Sequence, residues 1–115
     1  MDIRYPILLE PQEPKGFFVR FPDMDDTFTE GDTEKDAIRN AEEVLTAMLG
    51  WKIDNGHSIP EPSMNVIGAR YVAPDAKTQA AILLRRARKA QSMAEIARSM
   101  GTSWAAVKRL ENSRH

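Results

Sequence analysis

The spacing of the apolar residues changes along this chain, and that change constrains its fold more than any other feature. Residues 3–9 and 17–21 alternate apolar with other side chains, which is the period of a strand with one buried face. Proline and glycine residues between the two segments predict a turn, so the segments form a hairpin. Pro6 predicts that the first strand lies at the edge of its sheet, because proline cannot donate a ladder hydrogen bond.

A short third strand and a long amphipathic helix are predicted next. Residues 27–30 suit the strand, and Thr33 is the expected N-cap, since its hydroxyl can accept a hydrogen bond from the third amide of the helix. The apolar residues then recur at steps of three and four and predict a helix face that packs on the sheet. They are Ala37, Ile38, Ala41, Val44, Leu45, Met48 and Leu49. Asn55-Gly56 predicts the end of this helix, and residues 66–72 predict a fourth strand.

This order of elements predicts an α+β fold, with one helix covering a small sheet in the order β-β-β-α-β. After Ala73-Pro74 the apolar spacing becomes helical and the composition shifts to Ala, Leu, Arg and Ser. We therefore expect a first domain at residues 1–73 and a small all-α domain at residues 74–115. Asp75 predicts the start of one helix in the second domain, and Ser92 the start of another.

The charge divides at nearly the same place. Residues 1–74 contain 14 acidic and 7 basic residues, a net charge of −7, whereas residues 75–115 contain 9 basic and 3 acidic residues, a net charge of +6. A basic segment suits a phosphate backbone, while an acidic one is repelled by nucleic acid and suits a basic protein. The chain is therefore expected to have two binding functions.

Several kinds of site and segment are not expected. The sequence has no cysteine, which excludes disulfides, thiolate metal sites and cysteine nucleophiles. It has no run of 18 apolar residues and no apolar N-terminal run, so neither a membrane span nor a signal peptide is predicted. We expect a cytoplasmic protein with no cofactor, no metal and no membrane partner.

Residues 93–110 resemble a helix-turn-helix motif. Ala97 is small where two helices would cross, Gly101 can adopt the positive φ of the tight turn, and Ser103 would cap the second helix. The candidate DNA-binding residues are Arg98, Thr102, Ser103, Trp104, Ala105, Lys108, Arg109 and Asn112. Trp104 suits a dimer interface equally well. A helical bundle without a DNA role is the alternative, which the net charge of the segment disfavours.

Three segments of the first domain resemble the HicB antitoxin family. Residues 16–23 are a strand that ends in Phe-Pro-Asp, and residues 28–37 contain Thr-x-Gly-Asp-Thr before an Ala-rich helix. Residues 59–62 supply the Pro-x-Pro that follows the helix in that family. Residues 25–27 depart from it, because many members have Pro-Gly-Cys or similar there.

The resemblance implies an incomplete RNase H-like fold without the nuclease activity of that fold, so the protein is not expected to be an enzyme. It also implies a HicA toxin as partner, a small basic mRNA interferase with a catalytic histidine, and repression of the protein's own operon by the C-terminal domain. The acidic residues around the third strand are the candidate toxin-binding residues; they are Asp23, Asp25, Asp26, Glu30 and Asp32. Binding to operator DNA predicts a homodimer or a tetramer, because one motif covers only a few base pairs.

Two other functions remain open from the residues alone. The same acidic residues would suit a magnesium-dependent nuclease, although they crowd one loop and one strand end instead of converging from separate elements. His57 and His115 have no evident partner for acid–base or metal chemistry. A stand-alone transcriptional regulator with a ligand-sensing first domain is the other alternative. A small, basic, toxic neighbour in the genome would favour the antitoxin.

Overall fold

The computed structural model describes the backbone of residues 3–100 and the side chains of residues 3–98. The elements in chain order are β1 (Tyr5–Pro11), β2 (Phe17–Phe21), β3 (Met24–Gly31), α1 (Glu34–Asp54), β4 (Arg70–Val72) and α2 (Ala76–Met100). The predicted α+β class and the order β-β-β-α-β are confirmed. The chain divides into two compact units, residues 1–80 and 81–115. No helix in the described part of the chain is long and apolar enough to cross a membrane.

The four strands form one antiparallel sheet in the order β3-β2-β1-β4. Arg20 of β2 lies opposite Leu8 of β1 on one side and opposite Phe28 of β3 on the other. On the far side of β1, Pro6 lies opposite Tyr71 of β4. The two edges of the sheet are therefore β3, with eight residues, and β4, with three.

The prediction that Pro6 marks an edge strand was wrong, since β1 lies in the middle of the sheet. The register of β1 against β4 runs from Tyr5 to Ile7, and its register against β2 begins only at Leu8. At Pro6, β1 thus has a paired strand on one side only within the described residues. A proline there can direct its nitrogen away from β4 without the loss of a ladder hydrogen bond.

One face of the sheet is covered by α1. The buried residues of α1 repeat every fourth position and belong to the predicted apolar face; they are Ala37, Ala41, Leu45 and Leu49. On the sheet, Tyr5, Ile7 and Val19 are fully buried, and Thr27 is 2% exposed. Burial of these side chains is the main stabilising contribution to the first unit.

The fourth strand is shorter than predicted, because residues 66–69 form a turn instead. The Ala69 N–H donates to the Val66 carbonyl at 3.2 Å, and Gly68 has a positive φ of 75°. Both features interrupt an extended backbone.

The second helix begins as predicted but is longer. Asp75 caps it, since its Oδ1 accepts a hydrogen bond from the Thr78 N–H at 2.8 Å. A new helix start at Ser92 was predicted wrongly, because α2 continues through that residue to Met100. Residues 76–100 contain neither glycine nor proline, so no residue there breaks the helical hydrogen bonds. The Gln91 side-chain amide also donates a hydrogen bond to the Glu95 carboxylate, one helical turn later, which spans Ser92.

Candidate protein-binding site at the β3 edge

The junction between β3 and α1 requires two particular residues. A Cβ atom at Gly31 would lie 2.3 Å from the Ala37 backbone nitrogen and 2.6 Å from its Cα, so only glycine allows α1 to approach this closely. Thr33 is the N-cap of α1, and its hydroxyl accepts a hydrogen bond from the Asp36 N–H at 3.1 Å. Both belong to the Thr-x-Gly-Asp-Thr segment. Their role here is to position α1 on the edge strand.

Residues 21–34, which include β3, contain six acidic residues and no lysine or arginine. All five predicted toxin-binding residues lie in this stretch: Asp23 before the strand, Asp25, Asp26 and Glu30 on it, and Asp32 after it. Since β3 is an edge strand, the stretch forms one acidic border of the sheet.

Two of these carboxylates already bind other parts of the chain. Asp23 accepts hydrogen bonds from the N–H of Ser63, at 2.8 Å, and from its hydroxyl. Asp26 lies 3.8 Å from the Lys52 ammonium at the end of α1 and accepts a hydrogen bond from the Thr27 hydroxyl at 3.1 Å. Both carboxylates are therefore already engaged within the chain, Asp23 with the connection that contains Ser63 and Asp26 with the end of α1.

The other three carboxylates point into solvent. Asp25, Glu30 and Asp32 are exposed, and within residues 3–98 their side chains have no hydrogen bond or ion pair. They are accessible to the cationic groups of a partner, because no lysine or arginine of the described part forms an ion pair with them.

The sheet face opposite α1 carries an aromatic pair next to this border. The rings of Phe18 and Phe28 stack with their centroids 5.8 Å apart, and Phe28 is 60% exposed. Beside them, Arg20 forms an ion pair with Glu10 at 2.9 Å. The aromatic pair was not predicted as a functional feature from the sequence, although Phe18 was placed on the face opposite Phe17 and Val19. An apolar residue on the predicted solvent face was the available signal.

The described residues do not form the metal site that the nuclease alternative requires. No three His, Asp or Glu side chains of residues 3–98 converge in a way that could hold a metal ion. His57 is exposed and packs against Trp51, with ring centroids 4.7 Å apart. His115 lies outside the described residues.

The basic helix α2 contains one of the predicted DNA-binding residues. Within residues 76–98 there are six basic residues and one acidic residue, Glu95. Arg98 is exposed, while Met93 and Ala97 are buried together in the second unit. The other candidates lie outside the described residues, so their role stays a prediction: Thr102, Ser103, Trp104, Ala105, Lys108, Arg109 and Asn112.

Comparison with known proteins supplies the family. The sequence model of the HicB-like antitoxin of bacterial toxin–antitoxin systems matches residues 4–81. The chain belongs to the HicB-like antitoxin family. It is 31% identical to Antitoxin HicB 1 of Photorhabdus laumondii over 116 aligned positions, which cover 99% of this chain and 74% of that protein. It is 26% identical to Antitoxin HicB of Escherichia coli K12, covering 98% and 83%.

A solved structure shares the fold of this HicB-like antitoxin. The toxin–antitoxin complex from Streptococcus pneumoniae contains a chain that matches it with a TM-score of 0.56 and 16% identity, over 97% of both chains. The resemblance predicted from residues 16–37 and 59–62 is therefore confirmed at the level of the family. The chain is an antitoxin of a toxin–antitoxin system, a regulatory protein by family.

Proposed function

We propose that this HicB-like antitoxin neutralises a HicA-type toxin with its first unit and represses its own operon by binding operator DNA with its basic C-terminal segment. The single observation that carries the proposal is the family match over residues 4–81, which is the acidic part of the chain. Messenger RNA and operator DNA are both cytoplasmic, so the cytoplasm is the proposed place of action.

The charge of the first unit supports the choice of partner. An mRNA interferase binds a polyanion and is therefore basic, which makes it complementary to a segment with a net charge of −7. Complementary charge raises the association rate and disfavours wrong partners more than it raises affinity. The exposed carboxylates of Asp25, Glu30 and Asp32 are the groups best placed to contribute.

The composition of residues 75–115 supports the DNA function. Their net charge is +6, and residues 93–110 have the spacing of a helix-turn-helix motif. Such a motif reads only a few base pairs, so specific repression needs two or more copies of the chain, as a homodimer or a tetramer.

The test of toxin binding uses the small basic protein encoded beside the gene of this chain, with its catalytic histidine replaced so that it can be purified. Isothermal titration with the full-length antitoxin should give a complex whose affinity falls as salt is added. The double variant Asp25→Lys, Glu30→Lys should bind at least tenfold more weakly. Asp23 and Asp26 are left intact because their carboxylates already have partners within the chain.

The matched control is Glu43→Lys combined with Glu42→Lys. These two acidic residues are exposed on α1, and their reversal changes the net charge by the same amount. Equal losses in both double variants would mean that the total charge matters and the β3 border does not. Absence of any complex with the wild-type chain would refute the proposed neutralisation.

A further inference from the structure

The edge strand β3 is long for an unpaired strand. It has eight residues, and within the described part of the chain only β2 pairs with it. Its register against β2 is continuous from Phe28 to Gly31, and a bulge separates this segment from Met24. The opposite edge, β4, has only three residues. Proteins usually shorten or cover an edge strand, because its free N–H and C=O groups pair readily with another strand.

The side of β3 that faces away from β2 can be assigned from two contacts. The Gly31 carbonyl is directed toward β2, since it lies 2.8 Å from where a Cβ of Gly16 would be. Backbone groups alternate sides along a strand, so those of Glu30 and Phe28 point to the open edge. Consistent with this, the Glu30 carbonyl is reached from α1 by the Asn40 amide, at 2.8 Å.

Two backbone positions are therefore open to a partner strand. Asn40 occupies the Glu30 carbonyl, which leaves the N–H groups of Phe28 and Glu30 and the carbonyl of Phe28 facing outward. Next to them, the exposed ring of Phe28 rests on Phe18 and offers an apolar surface to a neighbouring side chain on the outer face.

The charges along β3 decide which strand fits. A second copy of β3 would place carboxylates beside carboxylates, and like charges opposite one another destabilise strand pairing. A strand with lysine or arginine opposite Glu30 would instead place opposite charges together, and Asp25 and Asp32 on either side of the paired segment add to the negative charge that attracts it. The edge is thus protected against self-association and remains open to a cationic strand.

We propose that β3 receives a strand of the basic toxin as a further strand of the sheet, paired through the backbone of Phe28 and Glu30. This inference rests on the proposed antitoxin function and specifies its geometry. The mode is strand addition, in which backbone hydrogen bonds give affinity and the alternate side chains give specificity.

The direct test is amide hydrogen exchange by NMR on the full-length antitoxin, free and bound to the inactive toxin described above. The Phe28 and Glu30 amides should exchange at least tenfold more slowly in the complex. Thr29, whose N–H faces β2, should change much less. This measurement is made on the wild-type sequence, so it does not depend on whether a variant folds.

Two variants of Phe28 distinguish the contribution of its backbone N–H to toxin binding from that of its aromatic ring. Phe28→Ala removes the aromatic surface, and Phe28→Pro also removes the outward N–H while leaving the β2 ladder intact. Binding should weaken in Phe28→Ala and weaken about tenfold further in Phe28→Pro, with both proteins folded by circular dichroism. Equal affinities would overturn the backbone pairing.

The outcomes distinguish the two proposals. If the toxin binds while the Phe28 and Glu30 amides remain unprotected, strand addition is wrong and the antitoxin function stands. If no complex forms with the wild-type chain, both proposals fail. If these amides become protected in the free protein as its concentration rises, the edge pairs with a second copy, and the assignment to a basic partner is wrong.

Discussion

The carboxylate of Asp23, in the turn between β2 and β3, accepts hydrogen bonds from both the backbone N–H and the hydroxyl of Ser63, in the connection between α1 and β4. The Tyr5 hydroxyl donates to the Pro60 carbonyl in the same connection, at 2.6 Å. Residues 55–69 are thus held against the sheet at two points. A long connection without helix or strand is uncommon in a compact domain unless it is anchored or functional.

Replacement of Asp23 should release this connection. We expect Asp23→Ala to lower the free energy of unfolding by about 1 kcal/mol, because two hydrogen bonds to a partly exposed carboxylate are lost. Amide exchange of residues 63–65 should accelerate. The control is Asp25→Ala, which should stay within about 0.5 kcal/mol of wild type in urea denaturation, since Asp25 is exposed and bonds nothing in residues 3–98. Similar losses in both variants would contradict the anchoring role.

Replacement by alanine should have opposite effects on stability at Gly31, which precedes α1, and at Gly50, which lies within it. Gly31→Ala should destabilise the protein by about 1 to 3 kcal/mol, because its Cβ would meet the backbone of Ala37. Gly50→Ala should stabilise it by about 0.5 to 1 kcal/mol, since no atom lies within 4 Å of its Cβ and glycine is a poor helix former. Thermal denaturation measures both. A tolerated Gly31→Ala would show that α1 does not need this close approach.

The pKa of Asp75 should make part of the stability depend on pH. Hydrogen bonds from the Thr78 side chain and backbone hold this pKa below the ordinary value of 3.8, against a small opposing effect of desolvation. A carboxyl with a lowered pKa stabilises the folded state above the pKa of the unfolded chain, and this contribution is lost as the pH falls through the folded-state pKa. Wild type should therefore lose stability below about pH 4, and Asp75→Asn should lose less.

NMR titration of the Asp75 carboxyl carbon measures the lowered pKa directly. In Thr78→Val, which removes one of the two hydrogen bonds, the pKa of Asp75 should rise toward its ordinary value. An unchanged titration curve would rule out the Thr78 hydroxyl as the main cause.

The C-terminal segment should determine DNA binding without affecting toxin binding. We expect Lys108→Ala and Arg109→Ala each to weaken operator binding by about 1 to 3 kcal/mol if the side chain contacts a base. A phosphate contact would instead weaken binding to all sequences and reduce the salt dependence. Gel shifts at two salt concentrations separate these cases. Unchanged shifts in both variants would remove the two residues from the interface.

The sequence predicted the elements whose signals are local. Period-two and period-four spacing gave the strands and the buried face of α1, and Thr33 marked its start, because burial and capping depend on near neighbours. The prediction that Pro6 lies in an edge strand was wrong, because β4 pairs with the first three residues of β1. This pairing joins segments that are far apart in the chain, and the sequence does not show that it leaves the other side of Pro6 unpaired. The Ser92 start was also wrong, because serine favours a helix start only where the preceding helix ends.

The candidate site was predictable in composition and not in geometry. Five acidic residues near the third strand could be named from the sequence. Which of them bind Ser63 or Lys52, and which stay exposed, depends on contacts far apart in the chain. The stack of Phe18 on Phe28 likewise depends on the register of two strands, which the sequence does not specify by itself.

The buried side chains of α1 increase in size along the helix, from Ala37 and Ala41 to Leu45 and Leu49. The two alanines lie in the N-terminal half of α1, where Gly31 allows the helix backbone to approach the strand closely. The two leucines lie toward the C-terminal end of the helix. The same helix face therefore has opposite volume requirements at its two ends, small near the start and large near the finish. Reversing this gradient would keep the hydrophobicity of the face unchanged and still misplace α1 on the strand that is proposed to hold the partner.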